Sequence, residues 1–212
     1  MEIRFSKIIP IPIPESNVAN SEIWNRDLLF EQNNKYLIYA DSGKGKTTFV
    51  NIIFGLRKDY TGNVYIDGEN ISNFSINQFS QLRKTHLSIV PQGLQLFPEL
   101  SVLENINIKN RIQNYKTPEQ ISEMIEKLGL SGFENRKTAK MSFGQKQRVA
   151  IIRALCQSFE YILLDEPFSH LDAKNTEIAW NLIKSEAEQQ NASIIVTSLK
   201  QDFETNITKL RV

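Results

Sequence analysis

Nine consecutive residues, Ala40-Asp41-Ser42-Gly43-Lys44-Gly45-Lys46-Thr47-Thr48, constrain this chain more than any other stretch. They follow an apolar, aromatic run, Tyr36 to Ala40, and precede a helical run, Phe49 to Leu56. A strand, a glycine-containing loop and a helix in that order aim successive backbone N–H groups and the positive helix end at one point. A chain of phosphates suits that point. Lys46 is expected to neutralise the β- and γ-phosphates and Thr47 to offer its hydroxyl to Mg²⁺, with Ser42, Gly43, Lys44, Gly45 and Thr48 completing the cradle. The pattern GxxxxGK[ST] asks for glycine where Ala40 stands. A methyl group is tolerated there if the residue is extended, but not at positive φ.

Further short β-branched and aromatic runs occur at Val64 to Ile66, Leu87 to Val90, Tyr161 to Asp165 and Ser193 to Thr197. Those at 36–40, 161–165 and 193–197 are almost continuously apolar, as parallel strands covered on both faces are. Asp67-Gly68, after Val64-Tyr65-Ile66, reads instead as the turn of an antiparallel hairpin near the sheet's edge. Helices are announced by reciprocal caps, in which Ser or Thr is followed three residues later by Glu or Gln. Ser101 with Glu104 predicts a helix over 101–110. Thr117 with Gln120, and Pro118 at the first helical position, predicts one ending near Gly129. Ser142 with Gln145 predicts a third, to about Cys156.

Residues 93–140 carry caps and helical spacing but no strand pattern, so a helical lobe is expected between the two parts of the core, 1–92 and 141–212. The 212 residues, 41% hydrophobic and 23% charged, suit one α/β domain with such a lobe. A formal net charge of +1 gives no bulk attraction to nucleic acid or anionic membrane. Cys156 is the single cysteine, so no internal disulfide or thiolate metal site forms, and it reads as a small buried residue of a helix. Met1 to Pro14 alternates isoleucines with prolines and is neither a signal peptide nor a spanning helix. No other segment reaches the roughly 18 apolar residues a membrane crossing needs, so any membrane role requires a partner chain.

Two further stretches bear chemistry. Tyr161-Ile162-Leu163-Leu164-Asp165-Glu166 is an apolar strand ending in two acids, which places carboxylates at the sheet's carboxyl edge. Asp165 is suited to hold Mg²⁺ through a water and Glu166 to accept a proton from an attacking water. Met141-Ser142-Phe143-Gly144-Gln145-Lys146-Gln147-Arg148 is a second helix start rich in N–H donors. One nucleotide does not need two such helix ends from one subunit, unless the second serves a neighbour.

In these motifs the chain resembles the nucleotide-binding subunit of ABC transporters over nearly its whole length. Ala40 to Thr48 resembles the Walker A loop, Val90-Pro91-Gln92 the Q-loop, and Met141 to Gln145 the LSGGQ signature. Tyr161 to Glu166 resembles the Walker B strand and Ser169-His170-Leu171-Asp172 the D-loop, all in family order. Phe97 to Ile106 is similar to compact cassettes that serve lipoprotein-release, peptide-efflux and division-associated permeases, and some importers. The resemblance implies an α/β P-loop NTPase core of mixed, mainly parallel sheet, with an antiparallel edge and an inserted helical subdomain. It implies an ATPase using ATP and Mg²⁺ that closes as a head-to-tail homodimer or heterodimer. Gln92 would reach Mg²⁺ and the attacking water; Ser142, Gly144 and Gln145 would bind the partner's nucleotide; Asp172 would lie across the seam. The helical lobe would receive an integral membrane permease, placing the protein in the cytoplasm, peripheral on the inner face of the cell membrane, with no nucleic-acid partner.

The pattern breaks in three places: Ala40, Phe143 and Ser198. Phe143 replaces the first signature glycine, and its ring is expected either to turn away from the nucleotide against the helical lobe or to make a weakened or selective dimer contact. Ser198 stands where the family has a switch histidine. Serine can hydrogen-bond a γ-phosphate but carries no positive charge, so hydrolysis is expected to be slow. The two histidines, His86 and His170, are expected as a surface strand residue and a seam contact. Phe5 and Trp24 are candidates for the aromatic residue that the family stacks on adenine, or for the core. Two rival functions are an ATP-gated dimerising module with little hydrolysis and a non-transport soluble cassette.

Overall fold

The computed structural model describes residues 1–199, 204 and 206–212. The chain opens with β1 (Ile3–Pro10), a short α1 (Glu15–Ala19), β2 (Asp27–Phe30) and β3 (Lys35–Tyr39), the strand that leads into the glycine-containing loop. Then come α2 (Lys46–Ile53), β4 (Tyr60–Ile66), β5 (Glu69–Asn70), α3 (Ile76–Thr85) and β6 (Leu87–Val90). Next are α4 (Val102–Gln113), α5 (Pro118–Lys127) and α6 (Phe143–Leu155), and finally β7 (Tyr161–Asp165), α7 (Ala173–Gln189), β8 (Ser193–Ser198) and β9 (Thr208–Arg211).

The strands form two sheets. Five parallel strands run in the order β6-β7-β8-β3-β9, and four antiparallel strands in the order β2-β1-β4-β5. The α/β class is the expected one. The Asp67-Gly68 hairpin joins β4 to β5, as its turn chemistry predicts, but belongs to the separate antiparallel sheet. Local turn chemistry specifies the hairpin and says nothing about which sheet its outer strand joins.

The parallel strands are covered on both faces, which is why they read as unbroken apolar runs. Leu37, Ile162, Leu164, Ile194 and Val196 point into one cluster with α4, α5, α6 and α7. Tyr36, Ile38, Tyr161, Leu163 and Ile195 point the other way, into a second cluster with α2, α3 and the antiparallel sheet. The three predicted capping boxes are all formed, at Ser101–Glu104, Thr117–Gln120 and Ser142–Gln145. A fourth, Ser75–Gln78, opens α3, which sequence reasoning overlooked although the same signal was present. The helix predicted over 101–110 runs on to Gln113, because Asn114 closes it in the left-handed conformation at φ 50°.

Helices α4 and α5 lean on the core through a buried ion pair. Lys116, in the turn between them, lies 2.6 Å from Glu186 of α7. The side-chain amide of Asn110 holds the same turn, accepting from the Lys116 N–H and donating to its carbonyl.

Candidate functional site

Strands β6, β7, β8 and β3 end side by side, so the segments after them meet at one edge of the sheet. The loop after β3 enters α2 at Gly45, whose φ of 115° is open to glycine and not to L-residues. A Cβ there would also lie 3.3 Å from the indole of Trp24, which is fully buried beneath the loop. Ala40 is outside the positive-φ set, so its methyl group is tolerated in the manner expected. Its carbonyl accepts from Lys46 Nζ at 2.8 Å, and the Asp41 carbonyl does so at 2.9 Å. Lys46 Nζ also stands 3.3 Å from Glu166 Oε1.

A chain of side-chain hydrogen bonds crosses the same cleft. Thr47 Oγ1 donates to Gln92 Oε1 at 3.2 Å, and Gln92 Nε2 donates to Glu166 Oε2 at 3.4 Å. Asp165 ends β7 nearly out of solvent, and burial pushes its carboxyl above the usual carboxylate range, opposed by the neighbouring hydroxyls of Thr47 and Thr197. Thr197 was not singled out from the sequence as a site residue. Parallel pairing places it opposite Asp165, where its hydroxyl donates to Asp165 Oδ1 at 2.8 Å and accepts from the Glu166 N–H at 3.0 Å. Ser198 follows at the end of β8, and its carbonyl accepts from Ala40 N–H at 3.4 Å, which ties the switch position to the loop strand.

Glu166 itself sits at φ 51°, a left-handed conformation that costs a non-glycine residue about 1–3 kcal/mol and that clusters at functional positions. Two neighbours hold it there, Thr197 and the almost fully buried Gln147 of α6. Gln147 Nε2 donates to the Glu166 carbonyl at 3.1 Å, and its Oε1 accepts from the His170 N–H at 3.2 Å. Gln147 was quoted within a motif but given no role. It connects the helix that begins at Ser142 to both the acid strand and the segment 169–172.

Ser42, Gly43, Lys44, Gly45, Lys46, Thr47, Thr48, Gln92 and Glu166 line one cleft of about 360 Å³. Ser142, Gly144 and Gln145 do not line it. Ser142 and Gln145 are engaged with each other in the cap of α6, with Gln145 N–H on Ser142 Oγ at 3.3 Å and Ser142 N–H on Gln145 Oε1 at 3.0 Å. Asp172 caps α7 by accepting from the Asn175 N–H and side chain, both at 2.8 Å, and that backbone hydrogen bond chiefly holds its carboxyl below the usual range.

Several expectations are corrected by packing. Phe143 does not turn against the helical lobe. Its ring lies 4.1 Å from that of His170, and 46% of the residue remains exposed. His86 is no strand residue but the C-cap of α3, with Nε2 3.3 Å from Glu160. Phe5 and Trp24 are both fully buried and cannot stack on a bound base. Cys156 is buried at the end of α6 as expected, and burial pushes its thiol up to about 12.

A loop of N–H donors, a lysine, and acids at the carboxyl edge of a parallel sheet make a P-loop nucleotide-binding core. The family profile described as "ABC transporter" matches residues 24–169, and the chain belongs to that family. The lipoprotein-releasing system ATP-binding protein LolD of Francisella tularensis subsp. tularensis is 33% identical over 188 residues, which are 87% of this chain and 81% of that protein. The dimeric structure of a post-hydrolysis state of the ATP-binding cassette MJ0796, bound to ADP and Pi, superposes with a TM-score of 0.79 at 27% identity. It covers 93% of this chain and 88% of that one. A second dimeric structure of MJ0796, described as a bacterial ABC transporter cassette, gives 0.77 at 28% identity over 92% and 87%. The chain is thus an ATPase cassette of the transporter type, and the non-transport reading falls away.

Proposed function

We propose that this protein is the subunit that binds and hydrolyses ATP to drive a separate integral membrane permease, and that it works as a head-to-tail dimer of cassettes, homodimeric or heterodimeric. The observation that carries the catalytic part is the hydrogen-bonded line Thr47–Gln92–Glu166, with Lys46 beside it. An incoming triphosphate gives Lys46 better partners than the carbonyls of Ala40 and Asp41, and frees Glu166 to take the proton of a water positioned by Gln92. That water's oxygen bonds to the γ-phosphorus as the bond to the β-phosphate oxygen breaks, leaving ADP and phosphate.

The oxygen donors Thr47, Gln92 and Asp165 suit Mg²⁺, which is commonly held by one or two carboxylates together with substrate phosphates. The contact of Thr47 with Gln92, and the influence of the Thr47 hydroxyl on the Asp165 carboxyl, bring these donors together. When bound, the ion would offset charge on the phosphates. Ser142, Gly144 and Gln145 would serve the partner's nucleotide, and Asp172 would order the D-loop at the seam by capping α7. In this reading residues 93–140 act as the helical subdomain between core segments 1–92 and 141–212.

Two things support a permease partner: the LolD relative, and the lack of any helix among the described residues long and apolar enough to cross a membrane. The working place is then the cytoplasmic face of the cell membrane, and the net charge of +1 speaks against a nucleic-acid partner. Ser198 is expected to make turnover slow. Glu166→Gln should trap an ATP-bound dimer in size-exclusion chromatography; a variant that stays monomeric with saturating ATP and Mg²⁺ counts against both the base and the dimer. Steady-state ATPase of Ser198→His with the permease present should exceed the native rate, and equal rates would remove Ser198 as the cause of slowness.

A further inference from the structure

The chain has two imidazoles, and they lie at opposite edges of the parallel sheet. His86 stands before β6 and pairs with Glu160, the residue before β7, so it belongs to the edge where the strands begin. His170 follows β7, at the edge where Lys46, Gln92 and Glu166 gather. His170 alone is therefore on the reacting side.

Three contacts orient it. Its Nδ1 meets Ser169 Oγ at 2.9 Å, its ring lies 4.1 Å from that of Phe143, and its N–H donates to Gln147 Oε1 at 3.2 Å. Gln147 Nε2 donates in turn to the Glu166 carbonyl, which ties the backbone carrying the imidazole to the backbone carrying the base. The residue is nevertheless exposed, and among the described residues its Nε2 makes no hydrogen bond. A ring stacked on one side and held at one nitrogen has little rotamer freedom left to lose when the other nitrogen meets a ligand.

His170 does not serve the cleft of its own chain. Glu166 and Gln92 line that cleft, whereas His170, Phe143, Ser142 and Gly144 do not. A Cβ on Gly144 would lie 2.8 Å from the His170 carbonyl, so His170 and the start of α6 present one surface. We infer that His170 of each protomer donates from Nε2 to the γ-phosphate held by the other, supplying across the seam part of the charge stabilisation that Ser198 cannot give within its own chain. The inference deepens the dimer reading above and rests on it, since the nucleotide that Ser142 and Gly144 meet is the one His170 meets. A hydroxyl at position 198 can donate a hydrogen bond but carries no charge, whereas an imidazole can do both. Phosphoryl transfer spreads charge over the oxygens of the γ-phosphate, where such a donor acts.

Steady-state ATPase of four forms of the full chain separates this role from a structural one: native, His170→Phe, Ser198→His and the double variant. Phenylalanine keeps a ring against Phe143 and removes the donor. His170→Phe should lower kcat by about 10²-fold and leave KM for ATP within about threefold, as loss of a contact made in the transition state does. Ser198→His should raise kcat in the His170→Phe background by a factor about tenfold or more larger than in the native one, because either imidazole answers the same charge. Equal factors in the two backgrounds, or a His170→Phe kcat within about threefold of native, overturn the inference while the dimer stands. A Glu166→Gln chain that stays monomeric with saturating ATP and Mg²⁺ overturns the dimer reading and the inference with it.

Discussion

The ring of Phe143 lies 4.1 Å from the imidazole of His170, joining the first residue of α6 to the segment before α7. Each was an oddity in the sequence: a bulky ring where the family has glycine, and a histidine inside the D-loop. Together they bridge the signature helix and the D-loop on an open face. A double-mutant cycle of Phe143→Ala and His170→Ala, followed by urea unfolding, should show a coupling of about 0.5–1 kcal/mol, the size of an aromatic pair beyond its buried area. Additive single effects would show that the rings merely lie near each other.

Gly144 sits under the same bridge. A Cβ at this position would come within 2.8 Å of the His170 carbonyl, a backbone atom with no freedom to turn aside. Gly144→Ala should therefore push the D-loop away from α6 and strain the Gln147 hydrogen bonds to Glu166 and His170. ATPase should fall by about 10- to 100-fold, as for displacement of a catalytic group by an ångström or less. Unaltered ATPase would show that the D-loop position does not govern Glu166.

Asp165 makes stability depend on pH. Its carboxyl is raised in the folded protein by burial, so the folded state binds the proton more tightly than the unfolded chain does. Stability from this group is present below the ordinary carboxylate range and is lost as pH rises through the raised folded value. At neutral pH this buried carboxyl thus weakens the ligand-free fold relative to an uncharged side chain. Asp165→Asn, which keeps the oxygen that Thr197 bonds, should raise Tm at pH 7 without nucleotide and lose Mg²⁺-dependent stabilisation by ATP. A lower Tm under those conditions would contradict the sign.

The ion pair of Lys116 with Glu186, 2.6 Å long and only 7% and 10% exposed, ties the α4–α5 turn to α7. Removing one partner leaves a buried charge alone. Glu186→Leu should cost about 3–5 kcal/mol, roughly 6–20 °C in Tm for a chain of this size. Replacing both, Lys116→Met with Glu186→Leu, should recover most of the loss. No recovery would show that packing, and not the stranded charge, causes the defect.

Cys156 should be inert in the native protein. Its thiol is fully buried and pushed up to about 12, so little thiolate exists at pH 8 and none of it is accessible. Alkylation by iodoacetamide should be complete in denaturant and negligible without it, as followed by mass spectrometry. Rapid native labelling would refute the burial.

The local features were legible because they are written within a few residues of each other. A glycine loop between strand and helix, two acids at the end of an apolar strand, and Ser or Thr three residues before Glu or Gln each act over one turn of chain, and each formed where expected. The cap at Ser75–Gln78 carried the same signal and was overlooked, so α3 was legible too.

What the sequence could not disclose depends on residues far apart in the chain. Thr197 reaches Asp165 only through the register of β8 on β7, and Gln147 reaches Glu166 only because α6 packs beside that strand. Phe143 found His170 as its neighbour because residues 169–172 approach the start of α6, a contact that no local feature of the sequence specifies. Likewise Trp24 became the buried support of Gly45, while the prolines came to line the cleft. The sequence by itself determined the phosphate loop, the acids and the helix caps, because bonded neighbours dictate them. Sheet order and helix packing alone decided which of these groups touch, because such contacts are set by the burial of apolar faces across the whole chain.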